Sequence, residues 1–207
     1  MIPNIMMLEK IQNSFTESIQ LQIAATELLP TRLEQAAKQM QDCLLRGNKM
    51  IVCGHGRSYG NAQLLVSHLL HQYELARPTL YAVQLDLTGT VAGVAIQRNE
   101  LDLLYQKQLQ AVYRKGDIFV CFSPLGNEEA VLNAIHFAKG EGLDIIVFTS
   151  SHNEHTQGLL EDEDIEIAIP STNEARIIEG HLFCVNLLCE LVDHLLFSEG
   201  TSYENVN

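Results

Sequence analysis

Five short apolar runs, separated from one another by helical patterns or polar loops, constrain the fold of this chain more than any other feature. They lie at residues 49–53, 80–85, 118–123, 144–149 and 164–169. Most are continuous and rich in Val and Ile, which is typical of strands buried on both faces of a parallel sheet. With right-handed crossovers, they predict a three-layer α/β/α sandwich built on a five-stranded parallel sheet.

Helical spacing of apolar residues occupies most of the segments between these runs. Helices are predicted at residues 59–75, 101–114, 128–139 and 173–197. The pattern leaves residues 86–100 ambiguous, and residues 150–163 are polar with room for one helical turn.

Two further helices are predicted before the first strand, at residues 4–29 and 31–45, with Pro30 between them. The central strands do not need these helices as cover, so their apolar stripes predict packing against another subunit. We expect a single domain over residues 1–207. Its parts are oligomerisation helices at 1–47, an α/β core at 48–198 and a polar tail at 199–207.

The net charge argues against one class of partner. The chain has 13 Lys and Arg residues against 26 Asp and Glu, a net charge of −13 at pH 7. A duplex-binding domain needs a basic face that releases counterions from phosphate, and the sequence has no dense Lys/Arg cluster. We therefore expect no direct contact with nucleic acid, although a small basic patch is compatible with this total. A protein partner, or a small ligand held by backbone dipoles, fits the charge better.

The sequence lacks the usual signals for export or membrane insertion. No apolar run approaches 18 residues, and no basic segment precedes an apolar core at the amino terminus. We therefore expect no contact with a membrane and a cytoplasmic location. The five cysteines are odd in number and include no C-x-x-C pair, which favours buried, reduced thiols.

The first glycine-rich loop, Gly54-His55-Gly56-Arg57-Ser58, joins a predicted strand to a predicted helix. Ligands of open α/β sheets bind at the carboxyl ends of strands, and glycines let backbone N–H groups approach an anion. Ser58 could donate a hydrogen bond to an anion, and Arg57 could supply charge. The motif is neither G-x-G-x-x-G nor a Walker A sequence. Two interpretations stay open, an anion site and a tight turn that needs small residues.

A second loop, residues 123–127, follows the third predicted strand and begins with Ser123. Ser123 could also bind an anion, but Glu128 and Glu129 come directly after the loop. Acidic residues at a helix start interact favourably with the helix dipole, and they repel phosphate. Two unit charges about 4 Å apart repel by roughly 4 kcal/mol at an effective dielectric near 20. We therefore expect Glu128 and Glu129 to cap the helix.

Other titratable residues are weaker candidates. Glu179 and His181 could form an acid–base pair, but they lie two residues apart on different faces of a predicted helix. A structural role at a subunit interface is favoured for them. His68 and His71 have a helical spacing that could begin a metal site, but a structural role is favoured for these residues too.

Several motifs together resemble the sugar isomerase (SIS) domain family. They are C-G-x-G-x-S at residues 53–58, a strand ending in Ser123 with Gly126-Asn127 after it, and Ala-Arg-Ile-x-Glu-x-His at residues 175–181. The resemblance covers nearly the whole chain and implies the flavodoxin-like SIS fold. Within the family, the chain is most similar to the phosphoheptose isomerase group, which includes the DnaA initiator-associating (DiaA) proteins.

These two subgroups imply different activities. Phosphoheptose isomerases convert sedoheptulose 7-phosphate into a heptose phosphate, usually as tetramers with a zinc-assisted site. The initiator-associating proteins share the fold and the tetramer, but bind the replication initiator DnaA.

The isomerase positions can be compared with this chain residue by residue. Isomerases place His and Glu four residues apart on the helix after the first loop, where this chain has Leu64 and His68. On the last helix they place Gln and, eight residues on, His, where this chain has Ile178 and Asn186. Of the four, only His68 could coordinate a metal, and a single imidazole does not make a zinc site. We therefore expect no metal and no other cofactor.

The chain is more similar to the initiator-associating group. Residues 15–25, 61–63 and 185–193, together with Leu196 and Phe197, carry this resemblance. It implies a non-catalytic homotetrameric scaffold that binds DnaA and promotes its assembly at the replication origin. Leu196 and Phe197 either pack against the sheet or, if exposed, form the contact with the protein partner.

The alternative is a phosphosugar (phosphoheptose-type) isomerase or a phosphosugar sensor. The phosphate loop S-T-S-G-N-S of the family reads Ser-Pro-Leu-Gly-Asn-Glu at residues 123–128, and Arg57 replaces a usual Gly. If a phosphosugar still binds, the resemblance places it against Gly56, Arg57, Ser58 and Ser123. The fallback catalytic residues are then Glu179, His181 and His68. A cleft blocked by Leu64, Leu125 and Glu128 would oppose this alternative.

Overall fold

The computed structural model describes residues 4–151 and 153–197, and the tail expected at 199–207 lies outside this part of the chain. The helices are α1 (Asn4–Leu28), α2 (Pro30–Leu45), α3 (Tyr59–His71), α4 (Gly89–Gln97), α5 (Leu104–Val112), α6 (Glu129–Gly140), α7 (Glu154–Gln157) and α8 (Glu174–Phe197). The strands are β1 (Met50–Gly54), β2 (Ala82–Gln84), β3 (Ile118–Phe122), β4 (Asp144–Ser150) and β5 (Ile165–Ile169).

The strands form one sheet in the order β2-β1-β3-β4-β5, and every neighbouring pair is parallel. Every residue of β1 and β3 is buried because helices cover both faces of the sheet. Val52 and Val120 lie in the apolar cluster formed with α2, α3 and α8. Ile51 and Phe119 lie in the opposite cluster, formed with α5 and α6. The predicted three-layer α/β/α class with a five-stranded parallel sheet is confirmed.

The elements differ from the predicted ones mainly at their ends. The edge strand β2 is shorter than predicted, and Val83 and Gln84 in it are only half-buried. The helix α3 ends at His71 because Gln72 has a φ of +79°, which an α-helix cannot accommodate. The ambiguous stretch 86–100 contains α4.

The two amino-terminal helices use their apolar residues differently. Leu33 and Met40 of α2 are buried in the cluster shared with α8 and the sheet. The expectation that the stripe of α2 packs against another subunit is therefore wrong, since this helix completes the core of its own chain. α1 buries Leu21 in the same cluster. Most of its other large apolar residues are exposed, and this exposed set is Met6, Met7, Leu8, Ile11, Phe15, Ile19, Ile23 and Leu28.

By length and hydropathy alone, α8 is a candidate to cross a membrane. Its buried residues include Ile177, Val185 and Leu188, which belong to the apolar cluster of the sheet. This is the position of a core helix in an α/β sandwich.

The cysteines are placed as expected, since all five are buried and unpaired. Burial raises the pKa of the Cys184 and Cys189 thiols to about 12, which leaves them protonated and unreactive at neutral pH.

Candidate functional site

The carboxyl ends of β1 and β3 bring the two predicted loops side by side. Gly54 pairs with Phe122 at the last position of the β1–β3 register. Beyond that pair, the His55 backbone N–H donates to the Phe122 carbonyl over 3.4 Å. The loop that contains Ser58 and the loop that begins at Ser123 therefore lie on neighbouring strands, where ligands of open α/β sheets bind.

The first loop is a tight turn. A Cβ at Gly54 would lie 2.5 Å from the Ser58 carbonyl oxygen, so this position requires glycine. Gly56 has a φ of +57° and begins a 3-10 turn that ends at Ser58. The Ser58 backbone N–H donates to the His55 carbonyl. The turn interpretation accounts for the glycines, but not for the serine side chain.

The Ser58 hydroxyl is buried and has no hydrogen-bond partner among residues 4–151 and 153–197. An unpaired buried polar group costs about 1–3 kcal/mol, which makes Ser58 a candidate ligand donor. Arg57 is placed differently. Its side chain is 76% exposed and pairs over 3.0 Å with Glu174 at the start of α8. The charge of Arg57 is therefore shared with a carboxylate and is not held ready for an anion.

The second loop is closed by an internal hydrogen bond. The Ser123 hydroxyl, itself buried, donates to the Glu128 carboxylate. The Leu125 backbone N–H also donates to Glu128, over 3.5 Å. Gly126 has a φ of +71°, and a Cβ there would lie 1.9 Å from the Asn153 side chain. Glu128 occupies the N-cap position of α6, but its side chain makes no capping hydrogen bond. The expectation that this carboxylate caps the helix is wrong, because it bonds to the loop instead.

The family of the chain follows from comparison with known proteins. The family model described as SIS domain matches residues 14–150. The chain belongs to the SIS domain family. A phosphoheptose isomerase of Colwellia psychrerythraea is 42% identical over 197 residues, which cover 95% of this chain and 100% of the relative. The DnaA initiator-associating protein DiaA of an Enterobacter species is 41% identical over 192 residues, which cover 92% of this chain and 97% of the relative.

A solved SIS structure has the same architecture. The phosphoheptose isomerase of Francisella tularensis superposes on this chain with a TM-score of 0.83 at 35% sequence identity. The match covers 90% of this chain and 98% of the isomerase. Relatives of similar identity therefore carry two different names, and the choice between them depends on the side chains of the cleft.

The SIS isomerases' metal and base positions lie on α3 and α8. The fold brings two of the four together, since His68 Nε2 and Asn186 Oδ1 are 3.2 Å apart. Leu64 and Ile178 supply no metal-binding atom. In the described part of the chain, no group of three His, Cys, Asp or Glu side chains could hold a metal ion. One imidazole and one amide do not fit the zinc of the isomerases.

The weaker catalytic candidates are held in separate environments. Glu179 is paired with Arg176 and accepts a hydrogen bond from Ser18 of α1. His181 is fully buried, and its Nε2 lies 2.9 Å from the Thr149 carbonyl oxygen. Burial lowers the pKa of His181 to about 4, so the ring is neutral at pH 7. The two side chains do not form an acid–base pair.

Leu196 and Phe197 lie at the carboxyl end of α8, in the helical layer that covers one face of the sheet. Both are half-buried and pack against the apolar cluster that contains α2 and α3. Nearby on the same helix, Asp193 forms a buried ion pair with Arg77 over 2.5 Å. The end of α8 is therefore fixed by packing and by charge, while part of the Leu196 and Phe197 surface stays accessible.

Sequence reasoning missed two features of this cleft. The sequence predicts a cap at Glu128, because an acidic residue at a helix start usually interacts with the helix dipole. The signal for the other role was the short distance in sequence between Ser123 and Glu128, across a loop closed by Gly126. The contact of Asn153 with Gly126 had no local signal, because it joins two strand-end loops that are distant in sequence.

Proposed function

We propose that this chain is a non-catalytic SIS scaffold that binds the initiator DnaA and promotes its assembly at the replication origin. The name of the Enterobacter relative supports this proposal, as does the resemblance in residues 15–25 and 185–193.

The observation that carries the proposal is the loss of catalytic groups in the cleft. Aldose–ketose isomerisation needs a base near the C1–C2 protons and an acid for ring opening. At the four isomerase positions, this chain offers one titratable side chain, His68, which lies within hydrogen-bond distance of Asn186. An imidazole engaged in this way, with no carboxylate at those positions, cannot supply both proton-transfer roles.

The carboxylate of Glu128 supports the same conclusion. It is bonded to Ser123 at the end of β3, where the phosphate loop of the isomerases begins. A phosphate brought to about 4 Å from this carboxylate would be repelled by roughly 4 kcal/mol per pair of unit charges at a dielectric near 20. The loop therefore carries its own anion and disfavours a second one.

The surface for DnaA is proposed at Leu196 and Phe197, which combine an aliphatic and an aromatic side chain at the accessible end of α8. Aromatic residues beside aliphatic ones are frequent hot spots of protein interfaces. In a tetramer the contact would be presented four times, and this multivalency would hold several initiator molecules together.

A pull-down with purified DnaA tests the proposal. The variant is Leu196→Ala/Phe197→Ala, and the matched control is Val91→Ala/Ile96→Ala, which removes two exposed apolar side chains of α4. Each protein is first shown by light scattering to keep the wild-type mass. We expect wild type and control to retain DnaA, and the α8 variant to lose at least tenfold in affinity. Absence of binding by wild type would overturn the proposal.

One observation favours a second candidate function, a phosphosugar isomerase or sensor. The hydroxyl of Ser58 is buried without a described partner, as expected of a group that waits for a ligand. Relatives named phosphoheptose isomerase support this candidate as well.

A ligand titration with matched acidic variants separates the two candidates. Sedoheptulose 7-phosphate is titrated calorimetrically into wild type, Glu128→Gln and Glu129→Gln. Glu129 is exposed and adjacent in sequence, so it controls for the loss of one charge. A scaffold with a blocked loop binds weakly or not at all until Glu128→Gln removes the carboxylate, which then tightens binding at least tenfold. Turnover of the sugar phosphate by wild type would instead establish the isomerase.

A further inference from the structure

A second cleft lies at the edge of the sheet opposite to Ser58 and Ser123. It has a volume of about 650 Å³ and is bounded by the amino ends of β1, β2 and β3. Because all strands are parallel, this edge is separated from the cleft at Ser58 and Ser123 by the full length of the strands. Neither proposed function uses it.

The cleft is basic although the chain is acidic. Four of the 13 Lys and Arg residues line it, together with one carboxylate, in a chain of net charge −13. The basic residues are Arg46, Lys49, Arg114 and Lys115. Lys49 is paired with Asp117. Within residues 4–151 and 153–197, the other three form no ion pair, and all three are exposed. The cleft therefore has cationic groups free for an anion.

The cations are held on ordered turns. The buried carboxylate of Asp117 accepts hydrogen bonds from the backbone N–H groups of Lys49 and Arg114, at 3.1 and 2.8 Å. It also accepts one from the Asn48 side chain at 3.2 Å. These bonds fix the turn after α2 to the turn after α5. The backbone that carries the cations is therefore ordered before an anion binds, and only the long side chains have to be ordered on binding.

Helix dipoles explain only part of this arrangement. α2 ends at Leu45 and α5 ends at Val112, and a cation after each helix offsets the partial negative charge of the terminal carbonyl groups. That effect accounts for one cation at each turn. It does not account for cations of two distant turns lining one cleft, or for the apolar wall beside them.

The apolar wall includes the side chains of Leu70, Tyr81 and Val112. Tyr81 precedes β2 and is 61% exposed. An exposed aromatic ring beside basic groups is the arrangement on which a nucleobase stacks while cations hold its phosphate.

We propose that this cleft binds a nucleoside monophosphate or diphosphate, with the phosphate on Arg46, Arg114 and Lys115 and the base on Tyr81. The volume lies within the range of about 300–1,000 Å³ that is typical of small-molecule sites. A nucleic acid strand is disfavoured, because a polyanion would experience the repulsion of the whole acidic surface. A small anion experiences mainly the local positive charge.

Calorimetric titration of the full chain with AMP tests this inference. The variants are Arg114→Gln/Lys115→Gln for the phosphate and Tyr81→Ala for the base. The matched control is Arg32→Gln/Arg98→Gln, which removes two exposed cations elsewhere on the surface. Inorganic phosphate, adenosine and oligothymidylate are titrated separately, and Ser58→Ala reports on entry into the other cleft.

We expect AMP to bind wild type, the control and Ser58→Ala equally, and to bind Arg114→Gln/Lys115→Gln at least tenfold more weakly. Tyr81→Ala should weaken AMP but leave inorganic phosphate unchanged. The inference is overturned by absence of AMP binding at millimolar concentration, or by unchanged affinity in the Arg114→Gln/Lys115→Gln variant. Loss of binding in Ser58→Ala, or binding of oligothymidylate without AMP, would also overturn it.

Discussion

At the scale of single residues, two serines at neighbouring strand ends have opposite environments. Ser123 donates to the Glu128 carboxylate, whereas the Ser58 hydroxyl is buried without a described partner. The Glu128 carboxylate thus accepts the hydrogen bond of Ser123, whereas the hydroxyl of Ser58 is still able to bond to a ligand. This asymmetry decides which loop can still receive a ligand.

His181 is a third polar residue whose environment has a measurable consequence. Its ring packs edge-on against Phe122 and Phe148, with centroids 5.9 and 5.6 Å away. Its Nδ1 is buried without a described partner. Burial lowers the pKa of His181 to about 4, and the hydrogen bond to Thr149 opposes this shift only in part.

We therefore predict that His181 makes the protein less stable as the pH falls from 6.5 to 4. The unfolded chain binds the proton near pH 6.5 and the native state only near 4, so the stability is complete above 6.5 and is lost below it. Two to three pKa units correspond to about 3 kcal/mol. Urea unfolding at pH 7 and 4.5 measures the loss, and His181→Gln should show a smaller one. An equal loss in this variant would contradict the prediction.

At the scale of elements, a buried ion pair joins α8 to the end of α3. The Arg77 guanidinium contacts Asp193 of α8 and donates to the terminal carbonyl groups of His68 and Leu69 at 2.9 Å. Burial raises the pKa of Asp193 although Arg77 acts in the opposite direction. The pair therefore fixes the position of two helices at the expense of desolvation.

Removing one partner of this pair should be worse than removing both. Arg77→Met leaves the Asp193 carboxylate buried and unpaired, which we expect to cost about 3–5 kcal/mol of unfolding free energy. Arg77→Met/Asp193→Leu should recover most of that loss, because no charge stays buried. Denaturant unfolding of the double-mutant cycle measures both values. A double variant as unstable as Arg77→Met would show that the pair is needed for packing rather than for charge.

At the scale of the whole molecule, α1 carries more exposed large apolar side chains than any other element within residues 4–151 and 153–197. Phe15 is 68% exposed, and Ile19 and Ile23 follow it at helical spacing. Ser14 and Ser18, which lie beside this stripe, form hydrogen bonds with Arg176 and Glu179 of α8. An exposed apolar stripe of this length is typical of an interaction surface, and we propose that it contacts another subunit.

We predict that Phe15→Glu dissociates the oligomer, because a carboxylate in an apolar interface is desolvated without a partner. Sedimentation velocity should show a lower mass for this variant. Gln20→Glu adds the same charge on the polar side of α1 and should keep the wild-type mass. If Phe15→Glu also keeps that mass, the stripe of α1 is not the subunit interface.

The sequence by itself determined the α/β/α layers of this protein and the order of most helices and strands along the chain. Each strand is a local apolar run, and each helix repeats apolar residues at its own period, so short-range sequence contains the information. The same locality placed both candidate loops at strand ends. Together with the resemblance to the isomerases, the sequence also gave the absence of metal-binding atoms at Leu64 and Ile178, because an aliphatic side chain has no such atom.

Only the tertiary structure decided how side chains from distant segments combine. Arg46 and Arg114 meet at one cleft because β1 and β3 are adjacent in the sheet, although the sequence shows no basic cluster. α2 packs most of its apolar residues inside the core while α1 leaves most of its own exposed, although both have a helical stripe. The Glu128 carboxylate bonds to Ser123 instead of capping α6. In each case burial and the distance between side chains select the partner, and neither quantity is contained in a local pattern.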